Sequence, residues 1–162
     1  MIPVFCLESN QYYFGTADKR DRLKKTYLSE REGKNLWSWW TNKEVGHTQE
    51  ATKEISAILG KSGLFDYPKP LRLIHRIIQI ATAPDSIILD SFAGSGTTAH
   101  AVLNMNKTDG GNRKFICVEM MDYADTITAE RVKRVINGYG EGKKAVVGTG
   151  GSFSFYELGE PL

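Results

Sequence analysis

The chain has 162 residues, with 21 basic and 19 acidic side chains and a formal net charge of +2. That length fits one domain or a domain with a small appendage, and 41% apolar residues can build a packed core, which excludes a globally disordered chain. Near-neutral charge neither demands nor excludes a nucleic-acid partner, because a weakly basic chain can still carry a local basic face.

No signal peptide or apolar run of membrane-spanning length is visible, so the expected setting is the cytoplasm, with no membrane partner. Cys6 and Cys117 do not form a metal-type spacing, and Cys117 lies within the apolar run KFICVE, where a thiol packs. His47, His75 and His100 are far apart in sequence and are expected to be structural or surface residues; no metal site is expected.

From Met1 to about Gly33 the chain is polar with scattered aromatics. QYYFG is expected as a strand entering a turn at Gly15, and KRDRLKKTYLSERE as helix or loop. Its cluster Lys19, Arg20, Arg22, Lys24 and Lys25, interrupted by Asp18 and Asp21, reads as a solvated face. LWSWW brings Trp37, Trp39 and Trp40 together, and is expected to anchor this arm on the main domain rather than to stack on bases. A helix follows, capped by Thr48, with Ala51, Ile55, Ile58 and Leu59 at helical spacing and Gly60 ending it.

KSGLFDYPKP is a loop whose Pro68 and Pro70 push Tyr67 and Lys69 toward extended backbone. Pro70 suits the start of the next helix, LRLIHRIIQIAT, where Leu71, Ile74, Ile77, Ile78 and Ala81 make an apolar stripe, and Arg72, His75, Arg76 and Gln79 face away. IILD, Ile87 to Asp90, is short, β-branched and apolar, as a buried parallel strand is. A glycine loop and a helix from Thr97 or Thr98 to Asn106 come next, then a second buried strand, KFICVEM, ending near Glu119. DYADTITAERVKRVING is a further helix, with Ile127, Val132, Val135 and Ile136 on its apolar side and Gly138 as C-cap. GEGKKAVVGTGG is glycine-rich loop, and the alternation in SFSFYEL predicts a third strand. Helix, strand, helix, strand, helix, strand is a βαβ array with a parallel sheet, hence an α/β fold.

In such a sheet a ligand sits beyond the carboxyl ends of the strands, where Asp90, the loop Phe92–Thr98 and Glu119 all fall. Gly94 and Gly96 allow backbone to approach a ligand, and the following helix start favours an anionic group. A carboxylate at Glu119 can accept hydrogen bonds from both hydroxyls of a ribose. An adenosine-type cofactor is therefore expected. Gly94-x-Gly96-x-x-Ala99 satisfies the dinucleotide fingerprint, which leaves NAD open; a phosphate-binding P-loop is excluded because no Gly-Lys-Ser/Thr follows.

The wider string LDSFAGSGTTAHAV resembles the S-adenosylmethionine-binding motif of DNA amino-methyltransferases, with its Asp-x-Phe-x-Gly-x-Gly-Thr core. FDYPKPLRLI resembles the Pro-Lys-Pro segment before that motif, and RKFICVEMMDYA the acidic strand after it. Together, with GGSFSFYELGEPL at the end, they resemble the modification subunit of Type III restriction-modification systems, β-order adenine-N6 DNA methyltransferases, from about Trp37 to Leu162.

The resemblance implies a partial Rossmann-like, S-adenosylmethionine-dependent methyltransferase fold lacking its catalytic half. Residues 1–60 would be an arm left from the target-recognition region, and 61–162 the cofactor-binding half-domain. Phe92, Ala93, Gly94 and Gly96 would line the cofactor; Thr97 and Thr98 would bond near its carboxylate; Glu119 would hold the ribose and Met120 pack on the adenine. Lys69 and Pro70 would close the methionine end, and Asp90 would orient the loop or the cofactor's ammonium. These enzymes flip adenine out of the duplex and grip it with an Asp-Pro-Pro-Tyr-like motif. Neither DYPKP nor GEPL matches it, so no catalytic residue is assigned, and the chain is expected to be inactive alone. Implied partners are double-stranded DNA through the full enzyme, the upstream catalytic half, a restriction subunit and a second copy of the chain. An NAD(P)-binding Rossmann protein and a non-enzymatic partner-binding module are the alternatives.

Overall fold

The structure, a computed structural model, describes residues 37–159 together with the backbone of two short strands at 12–14 and 22–24. Two compact units divide at Trp39, Met1–Trp39 and Trp40–Leu162. In the first, β1 (Tyr12–Phe14) pairs antiparallel with β2 (Arg22–Lys24). The second strand corrects the expectation of helix or loop there. Cys6, the Gly15 turn and the rest of the basic cluster lie outside the described residues.

The second unit starts with α1 (Asn42–Val45), which opens on a reciprocal capping box between Thr41 and Glu44. Helix α2 (Thr48–Leu59) follows, and its cap is His47, whose Nδ1 accepts from the Glu50 amide at 3.2 Å, in place of the expected Thr48. Ala51, Ile55, Ile58 and Leu59 are all buried, as their spacing predicts. Helix α3 (Leu71–Ala81) begins after Pro70 as its N-cap. Arg72 ties it to α1 and α2, bonding the Glu50 carboxylate at 2.7 and 2.8 Å and the Lys43 carbonyl at 2.7 Å. Of its expected apolar stripe only Ile78 is fully buried; Ile77 and Ala81 are exposed, because nothing among the described residues covers that side.

The central motif is β3 (Ile87–Asp90), α4 (Thr97–Asp109) and β4 (Lys114–Cys117), with β3 and β4 parallel and in register from Ile87–Lys114 to Asp90–Cys117. Along both strands exposure alternates. One face turns Phe115 and Cys117 onto the core formed by α2, α4 and α5, and Ile88 onto Ile78, Ala101 and Val102. The other face leaves Ile87, Leu89 and Ile116 exposed, so these strands are half-buried rather than buried on both faces as expected.

A π-helical turn (Ala124–Ala129) runs directly into α5 (Glu130–Asn137), which ends at Gly138. The segment expected to be glycine-rich loop is a small antiparallel hairpin, β5 (Gly138–Tyr139) with β6 (Val146–Val147), tied to α4 by Lys107 Nζ on the carbonyls of Val147 and Gly148. Residues 151–159 form no strand, which corrects the expected third strand: their aromatic alternation finds no ladder among the described residues. The remaining mixed α/β arrangement rests on one small parallel sheet. No helix among the described residues is long and apolar enough to cross a membrane.

Of the tryptophans, Trp40 is half-buried within the second unit, beside Glu44, Val45 and Arg76, whereas Trp37 and Trp39, in the first, are exposed.

Candidate cofactor site

The parallel strands deliver Asp90 and Glu119 to the same end of the sheet, with the glycine loop between them. Backbone bonding continues past the strands: the Val118 amide donates to the Asp90 carbonyl at 2.8 Å and the Ala93 amide to the Val118 carbonyl at 3.0 Å. Two carboxylates then fix the loop. Asp90 Oδ2 accepts from Thr98 Oγ1 at 2.5 Å and its Oδ1 from the Phe92 amide at 3.1 Å. Glu119 Oε2 accepts from the Gly94 amide at 2.8 Å, while its Oε1 accepts from the amides of Met120 and Met121 at 2.9 and 3.1 Å. Desolvation alone would raise the Glu119 carboxyl, but these amides and the Tyr123 hydroxyl together hold it below its ordinary value.

Gly94 and Gly96 have φ of 52° and 74°, left-handed backbone that glycine adopts without strain. A Cβ on Gly96 would meet the Thr128 carbonyl at 3.2 Å, and one on Gly94 would meet the Phe65 ring at 3.3 Å. Thr128 also donates to the Gly94 carbonyl at 2.5 Å, so the π-helical turn is what presses on the back of the loop. Such turns often occur at functional sites.

A cavity of about 360 Å³ opens over this loop. Lys69, Asp90, Phe92, Ala93, Gly94, Thr97 and Thr98, all singled out from the sequence, line it. Pro70 and Gly96 are buried and are not among its lining residues; Glu119 reaches it through the Gly94 amide, and Met120 is exposed. Phe65, Tyr67, Ile74 and Ser95 also line the cavity and were not singled out from the sequence. Phe65 stands edge-on to Tyr123, with ring centroids 5.2 Å apart.

Tyr67 corrects an expectation: its φ is 55°, not extended, although Pro68 follows. A left-handed non-glycine residue is strained, and such strain clusters at functional sites. The residue is 78% exposed, so burial does not compensate.

The largest omission is Arg131. It is 1% exposed and donates to Ser95 Oγ at 3.2 Å, Thr97 Oγ1 at 2.9 Å, Glu54 Oε2 at 3.3 Å and, by geometry, His100 Nδ1 at 3.1 Å. A signal was legible, for Arg131 lies at the fourth position after Ile127 and before Val135, inside that helix's apolar stripe. Because a guanidinium only donates, His100 Nδ1 must be an acceptor and the ring neutral. Burial first, and then the charge of Arg131 and the neighbouring His75, depress the His100 pKa to about 3. Cys117, beneath Asp90, is raised to about 11 by burial and then by that carboxylate, which makes it an unreactive packing thiol.

Comparison with known proteins places these features in context. A family model described as DNA methylase matches residues 8–130. The HindVI Mod subunit of Haemophilus influenzae, described as a probable Type III restriction-modification enzyme, is 41% identical over 161 residues, covering 98% of this chain and 19% of its own length. The StyLTI Mod subunit of Salmonella typhimurium is 41% identical over 107 residues, or 66% of this chain and 16% of its own length. The Type II methyltransferase M.KpnI of Klebsiella pneumoniae is 45% identical over 95 residues, or 59% of this chain and 22% of its own. The chain thus spans about a fifth of the length of these relatives. The match over residues 8–130 takes in the glycine loop, both strand-end acids and the π-helical turn behind them: the chain belongs to the DNA methylase family.

Proposed function

We propose that the chain is the S-adenosylmethionine-binding part of a site-specific DNA methyltransferase that methylates adenine N6 within a Type III restriction-modification system. The observation that carries this reading is the cavity over the glycine loop, floored by Gly94 and Thr97 and bounded by Asp90 and Lys69. Its volume of about 360 Å³ falls in the range of small-molecule sites. Its lining suits a zwitterionic nucleoside: carboxylate, ammonium, hydroxyls and aromatic rings within one cleft.

S-Adenosylmethionine, when bound, supplies an electrophilic methyl group on a positively charged sulfur. The roles of the chain's residues are binding and orientation. Lys69 and Pro70 close the methionine end; Thr97 and Thr98, at the start of α4, hold the carboxylate through their backbone amides, because the single proton of each hydroxyl is committed to the Lys69 carbonyl and to Asp90; Phe92, Ala93, Gly94 and Gly96 shape the floor. Asp90, already bonded to Thr98 and the Phe92 amide, acts mainly by orienting the loop. Glu119 holds the ribose and Met120 packs on the adenine. Three amides occupy most of the roughly four lone-pair positions of the Glu119 carboxylate. That leaves room for one ribose hydroxyl, in competition with Tyr123, unless an amide is released.

The small parallel sheet would be a portion of a Rossmann-like methyltransferase sheet, with residues 61–162 as the cofactor half and 1–60, whose α2 packs into the same core, as the link toward target recognition. Gripping the adenine amino group falls to another part of the enzyme, because no Asp-Pro-Pro-Tyr-like string occurs in this sequence. Methyl transfer needs the acceptor nitrogen in line and acceptors for its developing charge, which donor binding does not provide. Duplex DNA and a restriction subunit would be partners of that whole enzyme.

Calorimetric titration with S-adenosylmethionine and, in parallel, NAD tests the reading. Saturable binding of S-adenosylmethionine alone is expected; binding of NAD alone would overturn it. Tritiated methyl transfer to adenine-containing duplex DNA should be absent for this chain and restored when the catalytic half is added in trans. Robust incorporation by the chain alone would refute the division of labour.

A further inference from the structure

Arg131 is an expensive way to fill a core position. A buried guanidinium needs full compensation, and an apolar residue of similar volume often serves packing as well or better. Compensation among the described residues is incomplete: Nε has no partner there, and Glu54 Oε2, at 3.3 Å, is the sole anionic contact. What arginine gives that an apolar side chain cannot is directed donation, and its Nη1 is directed at Ser95 and Thr97, which line the cavity.

The direction of those bonds has a consequence. Thr97 Oγ1 accepts from Arg131, and it lies 3.3 Å from Ser95 Oγ and 3.4 Å from the Lys69 carbonyl oxygen. That carbonyl only accepts, so the Thr97 proton points to Lys69 and the Ser95 proton to Thr97. Two acceptances and one donation use the Thr97 hydroxyl fully. The resulting relay runs one way, from Arg131 through Thr97 to the chain just before Pro70, the N-cap of α3. Lys69 and Thr97 line the same cavity from two elements far apart in sequence.

We infer that Arg131 is a positioning residue that holds the Lys69–Pro70 wall against the glycine loop by orienting the Thr97 hydroxyl. Where this bears on the cofactor it rests on the function proposed above; the coupling of the two walls does not.

Amide exchange measured by NMR on the 162-residue chain tests the coupling. The amides of Leu73 and Ile74 bond the Pro70 carbonyl, so they report the wall, whereas Thr82, bonded to Ile78 at the far end of α3, reports the other end of the same helix and so separates a local loosening from one of the whole element. Thr97→Val, which removes the hydroxyl at nearly constant volume, should speed exchange at Leu73 and Ile74 about tenfold while leaving Thr82 unchanged. Arg131→Met should do the same, and Arg131→Lys should recover part of the protection. If Arg131→Met does not fold, Thr97→Val and Arg131→Lys decide. Wild-type exchange at Leu73 and Ile74 in Thr97→Val, or equal acceleration at Thr82, would overturn the inference.

A second arm measures S-adenosylmethionine affinity, expected to fall about tenfold in Thr97→Val. A wild-type chain that binds no S-adenosylmethionine but shows the selective exchange refutes the cofactor reading and supports the positioning role.

Discussion

His100 gives the pH dependence of this fold a definite sign. The unfolded chain takes up the imidazole proton near 6.5, but burial beside Arg131 delays protonation of the folded chain to about 3. Between those values the unfolded state binds more protons, so stability falls as pH falls. The contribution is intact above 6.5 and is lost progressively toward 3. Linkage puts the loss between pH 7 and pH 5 at about 2 kcal/mol, and at about 5 kcal/mol once both states are protonated. Against a typical stability of roughly 5–15 kcal/mol, the first figure is already visible.

Urea unfolding at pH 7 and pH 5, followed by fluorescence of half-buried Trp40, measures it. His100→Asn is the comparison, because its amide oxygen can stand where Nδ1 accepts from Arg131, without titrating. His75, also depressed by burial, works in the same direction as His100, and Glu54, raised by burial, in the opposite one. Both are present in either chain and largely subtract. Wild type should lose about 2 kcal/mol more than His100→Asn on this pH step. Equal losses in the two chains would refute the assignment of a neutral, arginine-facing imidazole.

Glu119→Ala removes the carboxylate that pins Gly94; because that group stays in contact with water, the cost should sit at the low end for charged hydrogen bonds, about 1.5 kcal/mol in thermal unfolding, with S-adenosylmethionine affinity reduced at least tenfold. Gly96→Ala should cost about 2–3 kcal/mol of urea stability, combining left-handed strain with the 3.2 Å approach to the Thr128 carbonyl. Tyr67→Gly relieves a strained φ, so stability should hold or rise by up to about 1 kcal/mol while cofactor affinity falls, the trade expected of a strained binding residue. Ile87, Leu89 and Ile116 leave an exposed apolar sheet face, and β3 pairs only with β4 among the described residues. Sedimentation velocity should therefore show concentration-dependent self-association that Leu89→Lys weakens.

What could be read from the sequence follows a physical pattern. Elements whose signals are local and repeated were legible: α2 buries the residues its spacing selects, and the strand, glycine loop and helix from Ile87 fall where the motif puts them. Elements that depend on a partner were not. SFSFYEL alternates like a strand but meets no ladder among the described residues, while the two-residue strands β5 and β6 are too short to show a period. Helix α3 has a strong apolar stripe, yet Ile77 is exposed, because amphipathicity states which face wants cover and not whether cover is present. Tyr67 shows the limit of a local rule: the preference of a pre-proline residue for extended backbone was overridden at the cavity wall.

The candidate site divides along the same line. Residues that face the cavity were found because motif and topology both point at the carboxyl end of the strands. Residues that hold it from behind were missed, since their partners are remote: Thr128 reaches back to Gly94, and Arg131 to Thr97, Glu54 and His100. A glycine loop has little intrinsic rigidity, so its shape must be imposed by such contacts. Here they come from each side: Asp90 beneath, Glu119 from β4's end, Thr128 from the π-helical turn and Arg131 from α5. A loop held at so many points is preorganised before any ligand arrives, which limits the ordering entropy that binding must overcome. It follows that substitutions at Thr128 or Arg131, which do not line the cavity, should weaken cofactor binding as surely as substitutions within it.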